Sequence, residues 1–225
     1  MPRCFSSTAA GDSGLRVFDV SNPASPTETD FYVTPGTAEG VAVAASGPDG
    51  GVYAYVADGG RGLRIVDVSD TDAVTETGFY DTPRDSQGVA VRENYAFVAD
   101  GNGGLRVVDV SNKAAPTEVG FYDDVEYAKG VTVVEDGPTG QIHAYVADGV
   151  GGVIVLDVSD PTAPTPIASY DTLGYSYEGV VEGGSVYVAD DLNGMVVLRT
   201  LRPRAYLPYV EGGHHVRRAL RNAAE

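Results

Sequence analysis

Apolar residues along the chain fall in short runs rich in Val, Ile, Tyr and Phe, each bounded by Gly, Pro, Asp or Ser, and helix-period stretches are nearly absent. Branched and aromatic side chains suit a pleated, half-buried surface, so each run predicts a strand and each boundary a turn. The runs come in fours. GVAV (40–43), VYAYVAD (52–58), LRIVDVS (63–69) and TETGFYD (75–81) make one set. Asp-Gly-Gly-Arg-Gly at 58–62 and Asp-Gly-Asn-Gly-Gly at 100–104 supply the positive φ angles that tight reversals need. Links with proline at 21–28, 111–118 and 159–166 end each third strand and launch the fourth, since proline cannot donate to a ladder. Third strands such as VIVLDV are apolar almost throughout, which predicts sheets covered on both faces.

These sets repeat. GLRVFDVS at 14–21 returns as GLRIVDVS at 62–69, GLRVVDVS at 104–111 and GVIVLDVS at 152–159, with a decayed fifth copy, GMVVLRTL, from Gly194. The offsets alternate, 48, 42, 48 and 42, and the six extra residues are SGPDGG (46–51) and EDGPTG (135–140), as if a pair of units had been duplicated. Four antiparallel strands per unit of this length, without helices, predict an all-β fold, a β-propeller of four-stranded blades. The blades are expected at about 5–33, 38–82, 86–124, 128–171 and 177–201, making five blade equivalents of which three are complete. The first lacks an inner strand and the last an outer one, a place that AYLPYV (205–210) suits. Three outcomes stay open: a closed five-bladed ring, an open arc, or completion through a second copy.

The 225 residues hold 32 Asp and Glu against 15 Lys and Arg, a formal charge of −17, which argues against nucleic acid or an anionic membrane surface as partner. No apolar run approaches the roughly 18 residues that span a bilayer, so no membrane insertion is expected. Cys4 is the one cysteine, which excludes an internal disulfide framework. The N-terminal MPRCFSSTAAGDSG has no apolar core of the kind a signal peptide carries. Six of the 15 basic residues and two of the three histidines, His214 and His215, lie from Arg199 onward, so a basic tail at 202–225 follows an acidic body.

The recurring GLR[IV]VDVS, [YF][AV][YF]VADG and EGVAV-like phrases over about residues 5–200 resemble the LVIVD-repeat propellers, which are similar in turn to YVTN-type propeller repeats. The resemblance implies a propeller in a bacterial or archaeal surface or secreted protein. It implies no shared catalytic residues.

Propeller ligands commonly meet the channel face, where the residue before each inner-strand Gly-Val is Glu39, Gln87, Lys129 and Glu178. The surrounding positions repeat while this one varies, so the four are the candidate rim for a polar ligand. Asp58, Asp100, Asp148 and Asp190 end the second strands; four carboxylates on one face raise the question of Ca²⁺, but the loops lack calcium-loop spacing and Asp before Gly is an ordinary turn former. Asp19, Asp67, Asp109 and Asp157 in DVS read as turn groups. Tyr32, Tyr80, Tyr122 and Tyr170, with Tyr127, Tyr175 and Tyr177, suit packing between blades or stacking on a sugar or partner. His143 reads as a surface strand residue whose repeat partners are Tyr53 and a turn residue. Nucleophile, phosphate-loop and zinc-protease motifs are absent, and no metal or cofactor is expected. The chain therefore reads as a non-enzymatic interaction or scaffold propeller, extracellular or at the cell surface, that binds a protein or glycan or associates with itself through blade edges or the tail. The rival reading is a propeller hydrolase or lyase around Glu39, Lys129 and Glu178.

Overall fold

A computed structural model describes residues 5–46, 50–136, 140–201 and 205–209, and these contain no helix. Their strands form five antiparallel sheets in chain order. The first holds β1 (Phe5–Ala9), β2 (Leu15–Asp19) and β3 (Thr27–Tyr32); the second β4 (Gly40–Ser46), β5 (Gly51–Ala57), β6 (Leu63–Asp67) and β7 (Thr75–Tyr80). The third holds β8 (Gly88–Arg92), β9 (Tyr95–Ala99), β10 (Leu105–Asp109) and β11 (Thr117–Tyr122); the fourth β12 (Gly130–Asp136), β13 (Gln141–Ala147), β14 (Val153–Asp157) and β15 (Thr165–Tyr170). The fifth holds β16 (Ser176–Glu182), β17 (Ser185–Asp190), β18 (Gly194–Leu201) and β19 (Ala205–Tyr209). These are propeller blades, each strand paired with its sequence neighbour.

The last blade carries one strand more than the repeat pattern predicts. β19 pairs with β18, with Val197 opposite Tyr209 and Leu201 opposite Ala205, so the blade continues past residue 201 into the segment read as tail. Residues 202–204 and 210–225, including His214 and His215, lie outside the described residues, as does Cys4.

Local chemistry sets the blade. A bulge falls at the same place in the third-to-fourth strand pairing of four blades, at Val17/Phe18, Ile65/Val66, Val107/Val108 and Val155/Leu156. The reversal before each third strand needs glycine: at Gly104, φ is +78°, and an added Cβ would lie 2.1 Å from the Tyr122 carbonyl oxygen. His143 pairs with Asp157 as Tyr95 pairs with Asp109 and Tyr53 with Asp67, so its third-blade counterpart is the strand residue Tyr95 rather than a turn residue.

The core is a series of blade junctions. Leu15 and Val17 pack on Ala54, Val56 and Val66; Leu63 and Ile65 on Ala96, Val98 and Val108. Leu105 and Val107 pack on Ala144, Val146 and Leu156, and Val153 and Val155 on Val186, Val188 and Leu198. Alternate side chains along every third strand thus serve opposite junctions, which is why the interior strands are apolar on both faces. Arg64 and Arg106 are buried exceptions, stacked 4.5 and 4.9 Å over the rings of Phe79 and Phe121. Among the described residues the two terminal blades each leave one face uncovered: Ser6 and Thr8 are exposed in the first, Val180, Tyr187 and Met195 in the fifth. The described residues form an open arc.

Candidate functional site

The inner strands approach one another through backbone. An added Cβ on Gly40 would lie 3.0 Å from the Gln87 carbonyl oxygen, on Gly88 2.9 Å from that of Lys129, and on Gly130 2.7 Å from that of Tyr177. Glycine is required at this place because the neighbouring blade fills the space a side chain would take. The residue before each glycine is fixed by its amide, which donates to the second strand: Glu39 to Ala57 at 2.8 Å, Gln87 to Ala99 at 2.7 Å and Lys129 to Ala147 at 2.8 Å. Rim residues therefore follow one another from blade to blade, and Lys129 Nζ donates to Gln87 Oε1 at 2.5 Å.

The fourth rim place belongs to Tyr177, and Glu178 stands one register position beyond it. Bridges join Gly11 to Ala38, Gly59 to Ser86, Gly101 to Ala128 and Gly149 to Ser176, a constant step of 27 residues, and the rim residue follows the second member of each bridge. Counting that step from the second-strand turn identifies Tyr177. The Gly179-Val180 pair imitates the Gly-Val of the other inner strands but lies past a register shift between Ser176 and Glu178. The hairpin keeps the third-blade length, Glu182 opposite Ser185 as Arg92 is opposite Tyr95, so Glu178 takes the register place that Gly88 holds opposite the second-strand alanine. The rim thus runs Glu39, Gln87, Lys129, Tyr177.

The repeated carboxylates hold backbone. Asp58 Oδ2 accepts from the Gly36 amide at 2.8 Å, and Asp148 accepts from the Glu126 and Tyr127 amides at 3.1 and 2.8 Å. Asp100 accepts from the Thr82 hydroxyl at 2.6 Å and the Arg84 amide at 3.0 Å. All three are buried, and each clamps the link that enters its own blade. Burial pushes the Asp100 and Asp148 carboxyls above the ordinary carboxylate range, against the lowering effect of those hydrogen bonds. Asp19, Asp67, Asp109 and Asp157 each accept from the amide two residues on, at 2.8 to 2.9 Å, as turn groups do. The Ser159 amide holds Asp157 below the usual range.

The tyrosines divide by place. Tyr32 and Tyr80 stitch neighbouring blades, donating to Glu76 at 2.9 Å and Glu118 at 3.2 Å. Burial raises both phenols, helped by those carboxylates. The next blade has Pro166 where these glutamates stand, opposite Leu156 as Glu118 is opposite Val108. On the loop face, the Tyr127 and Tyr175 rings lie against Gly101 and Gly149, and Tyr175 and Tyr177 tilt together with centroids 5.0 Å apart. Lys129 Nζ sits 5.8 Å from the Tyr127 ring centroid.

Beside these rings lies a cleft of about 390 Å³, lined by Val150, Leu173, Leu192 and Tyr175 with Asp171 and Asp191. The repeat pattern contained its signal. Val150 and Leu192 occupy a turn place held by Gly60 and Asn102 in earlier blades, and Leu173 a link place held by Pro35, Pro83 and the half-buried Val125. All three apolar side chains are exposed, and Leu173 is held at φ of +62°, where β-carbon sterics disfavour it. Asn193 ties the two loops together, its Nδ2 donating to the Thr172 carbonyl at 2.7 Å and to Asp190 Oδ1 at 2.9 Å. The cleft is therefore presented on braced backbone, with Asp191 and Asp171 at its edge, the latter accepting from the Leu173 amide at 2.8 Å.

A family model described as LVIVD repeat matches the chain four times, at residues 8–34, 35–82, 83–124 and 127–172. No curated protein matches the chain.

Proposed function

The chain belongs to the LVIVD repeat family, and we propose that it is the non-enzymatic interaction module of a surface or secreted protein, engaging a protein or glycan on its loop face. The observation that carries this reading is the cleft between the fourth and fifth blades, where exposed Val150 and Leu192 replace Gly60 and Asn102 of earlier turns and exposed Leu173 stands where the preceding link has half-buried Val125. Exposed apolar side chains flanked by acids suit a partner that offers an apolar group beside a cationic one. Tyr175 and Tyr177 add stacking surface for a sugar ring. The recurrent carboxylates are engaged in structure: Asp58, Asp100 and Asp148 hold the backbone of the links entering their blades, and Asp190 holds Asn193 in its own turn. The rim favours binding over acid–base chemistry too: Lys129 is engaged with Gln87, and Glu178 is displaced from the rim. The acidic surface suits export, where high net charge keeps a protein dispersed.

The test is a titration of labelled protein with two probe sets, short peptides pairing leucine with arginine and neutral oligosaccharides, followed by methyl and tyrosine chemical shifts. Saturable shifts confined to Leu173, Leu192 and Tyr175, and lost in Leu173→Asp, are expected with one of the two sets. Shifts centred on Glu39 and Lys129 with release of a new product would replace this reading with a catalytic one.

A further inference from the structure

The cleft between the fourth and fifth blades is negative as well as apolar. Asp171 and Asp191 stand at its edge, no residue lining it is basic, and no ion pair among the described residues reaches either acid. A third acid lies behind its wall. Asp190 is 4% exposed and packs against the lining residue Gly174, and its Oδ2 has no hydrogen-bond partner among the described residues. By contrast, Asp58, Asp100 and Asp148 each accept a link amide through Oδ2, at 2.8, 3.0 and 3.1 Å. Three carboxylates beside exposed Val150, Leu173 and Leu192 call for a ligand that carries cationic and apolar groups together. The register of the last blade aims one such segment of the chain at this place. β19 runs antiparallel to β18 and ends with Tyr209 opposite Val197, so its direction leads toward the Gly194 end of β18. That end adjoins the turn carrying Asp191 and Leu192, and it lies three residues, roughly 10 Å, beyond the level of Tyr209. Residues 210–215 reach about 20 Å at full extension, enough to cover that distance and the step across the turn. The six residues that follow, VRRALR at 216–221, hold three arginines, Val216, Leu220 and no acid.

We infer that residues 216–221 are an intramolecular ligand of the cleft, with their arginines on Asp171 and Asp191 and with Val216 and Leu220 on the apolar wall. The inference rests on the cleft being a binding site, as proposed above, and adds how access to it is regulated: an outside partner must displace the chain's own basic segment. A short tether holds a linked segment at roughly millimolar effective concentration, so a modest contact fills the site. The apparent affinity of a competitor then falls with the fraction of cleft left empty.

The test is paramagnetic broadening in the whole chain. A spin label on Ala224→Cys, in a Cys4→Ser background, is expected to broaden the methyl signals of Val150, Leu173 and Leu192 and to spare Val74 in the second blade. The broadening should be independent of protein concentration, fall in high salt, and be absent when spin-labelled chains are mixed with isotope-labelled chains that carry no spin label. It should disappear when Arg217→Glu, Arg218→Glu and Arg221→Glu are combined, persist with lysine at the same three places, weaken in Asp191→Lys, and be partly restored when that change is added to the charge reversal. Leucine and arginine peptides should bind the charge-reversed chain several-fold more tightly than the parent. Unbroadened Leu173 and Leu192 methyls in the parent overturn the inference, as does broadening that survives the charge reversal or that arises only between chains. Outside peptides that bind parent and charge-reversed chains equally overturn it too, while leaving the cleft a partner site. Failure of the partner reading looks different: the label broadens the cleft methyls as inferred here, and no outside peptide or oligosaccharide binds the charge-reversed chain.

Discussion

Removing the Asp100 carboxylate tests whether the recurrent second-strand aspartates are structural clamps. Asp100→Ala strips the acceptor from the Thr82 hydroxyl and the Arg84 amide, at 2.6 and 3.0 Å, and the fully buried one of two countercharges from Arg106, whose Nε lies 3.8 Å away. A buried donor left without a partner costs about 1–3 kcal/mol, and breaking a buried ion pair from one side about 3–5 kcal/mol. These losses overlap, and Arg106 keeps Glu118 at 3.6 Å and the Phe121 ring. A loss of about 4 kcal/mol is therefore expected for Asp100→Ala. Asp100→Asn retains one acceptor oxygen and should lose about half as much. Asp109→Ala is the control, since it removes one amide hydrogen bond of 2.8 Å at an exposed turn and should cost about 1 kcal/mol or less. Urea unfolding, followed by circular dichroism and tyrosine fluorescence, gives all three from the midpoint and slope. If Asp100→Ala costs no more than Asp109→Ala, the clamp argument fails and the buried carboxylate needs another explanation.

Gly104→Ala forces a side chain into φ of +78° and against the Tyr122 carbonyl, so it should cost more than about 2 kcal/mol, whereas Gly183→Ala, with open space around its Cβ, should cost about 1 kcal/mol by the same unfolding assay. Tyr80→Phe removes the hydroxyl that reaches Glu118 across a blade junction and should lower stability by about 1 kcal/mol, with the Tyr80 phenol of the parent titrating above free tyrosine in an ultraviolet difference titration. The aspartates should pull stability in opposite directions with pH. Asp157, held low by the Ser159 amide, contributes stability that is present above its unfolded value of about 3.9 and is lost as pH falls through its folded value. Asp100 and Asp148, raised by burial, bind protons more tightly when folded, so they add stability as pH falls from their raised values toward about 3.9. Carboxyl-carbon NMR titration separates the groups, and Asp100 titrating at or below the value of free aspartate would refute the burial argument.

The blade was legible in the sequence because its determinants are local: Asp-Val-Ser fixes a turn, Asp-Gly a reversal, and the Leu-Arg-x-x-Asp register places alternate side chains on two junctions. The fifth blade was legible only in part. Its inner strand was misplaced by one residue because Gly179-Val180 imitates the inner-strand motif, whereas the bridge from Gly149 to Ser176, a non-local pairing, decides the register. Its outer strand has no repeat signature, but AYLPYV (205–210) suited that place, and Ala205–Tyr209 does pair with β18. The duty of Asp58, Asp100 and Asp148 was read correctly in kind as structural, but their partners, the amides of the incoming link, lie 16 to 22 residues away and carry no sequence mark. The cleft leaves no mark at the varying position before each inner-strand glycine; the change that matters is from Gly60 and Asn102 to Val150 and Leu192 in the turn.

The central structural claim is that the blades form an open arc with an uncovered fifth-blade face, and the chain carries its own reporter in Met195, one of only two methionines. The rate at which dilute protein is converted to the Met195 sulfoxide by peroxide, read by peptide mass spectrometry with an added methionine peptide as reference, tests it directly. An open arc predicts oxidation of Met195, 64% exposed, at close to the rate of a free methionine. Strong protection at every concentration would mean that the ring is closed over this face.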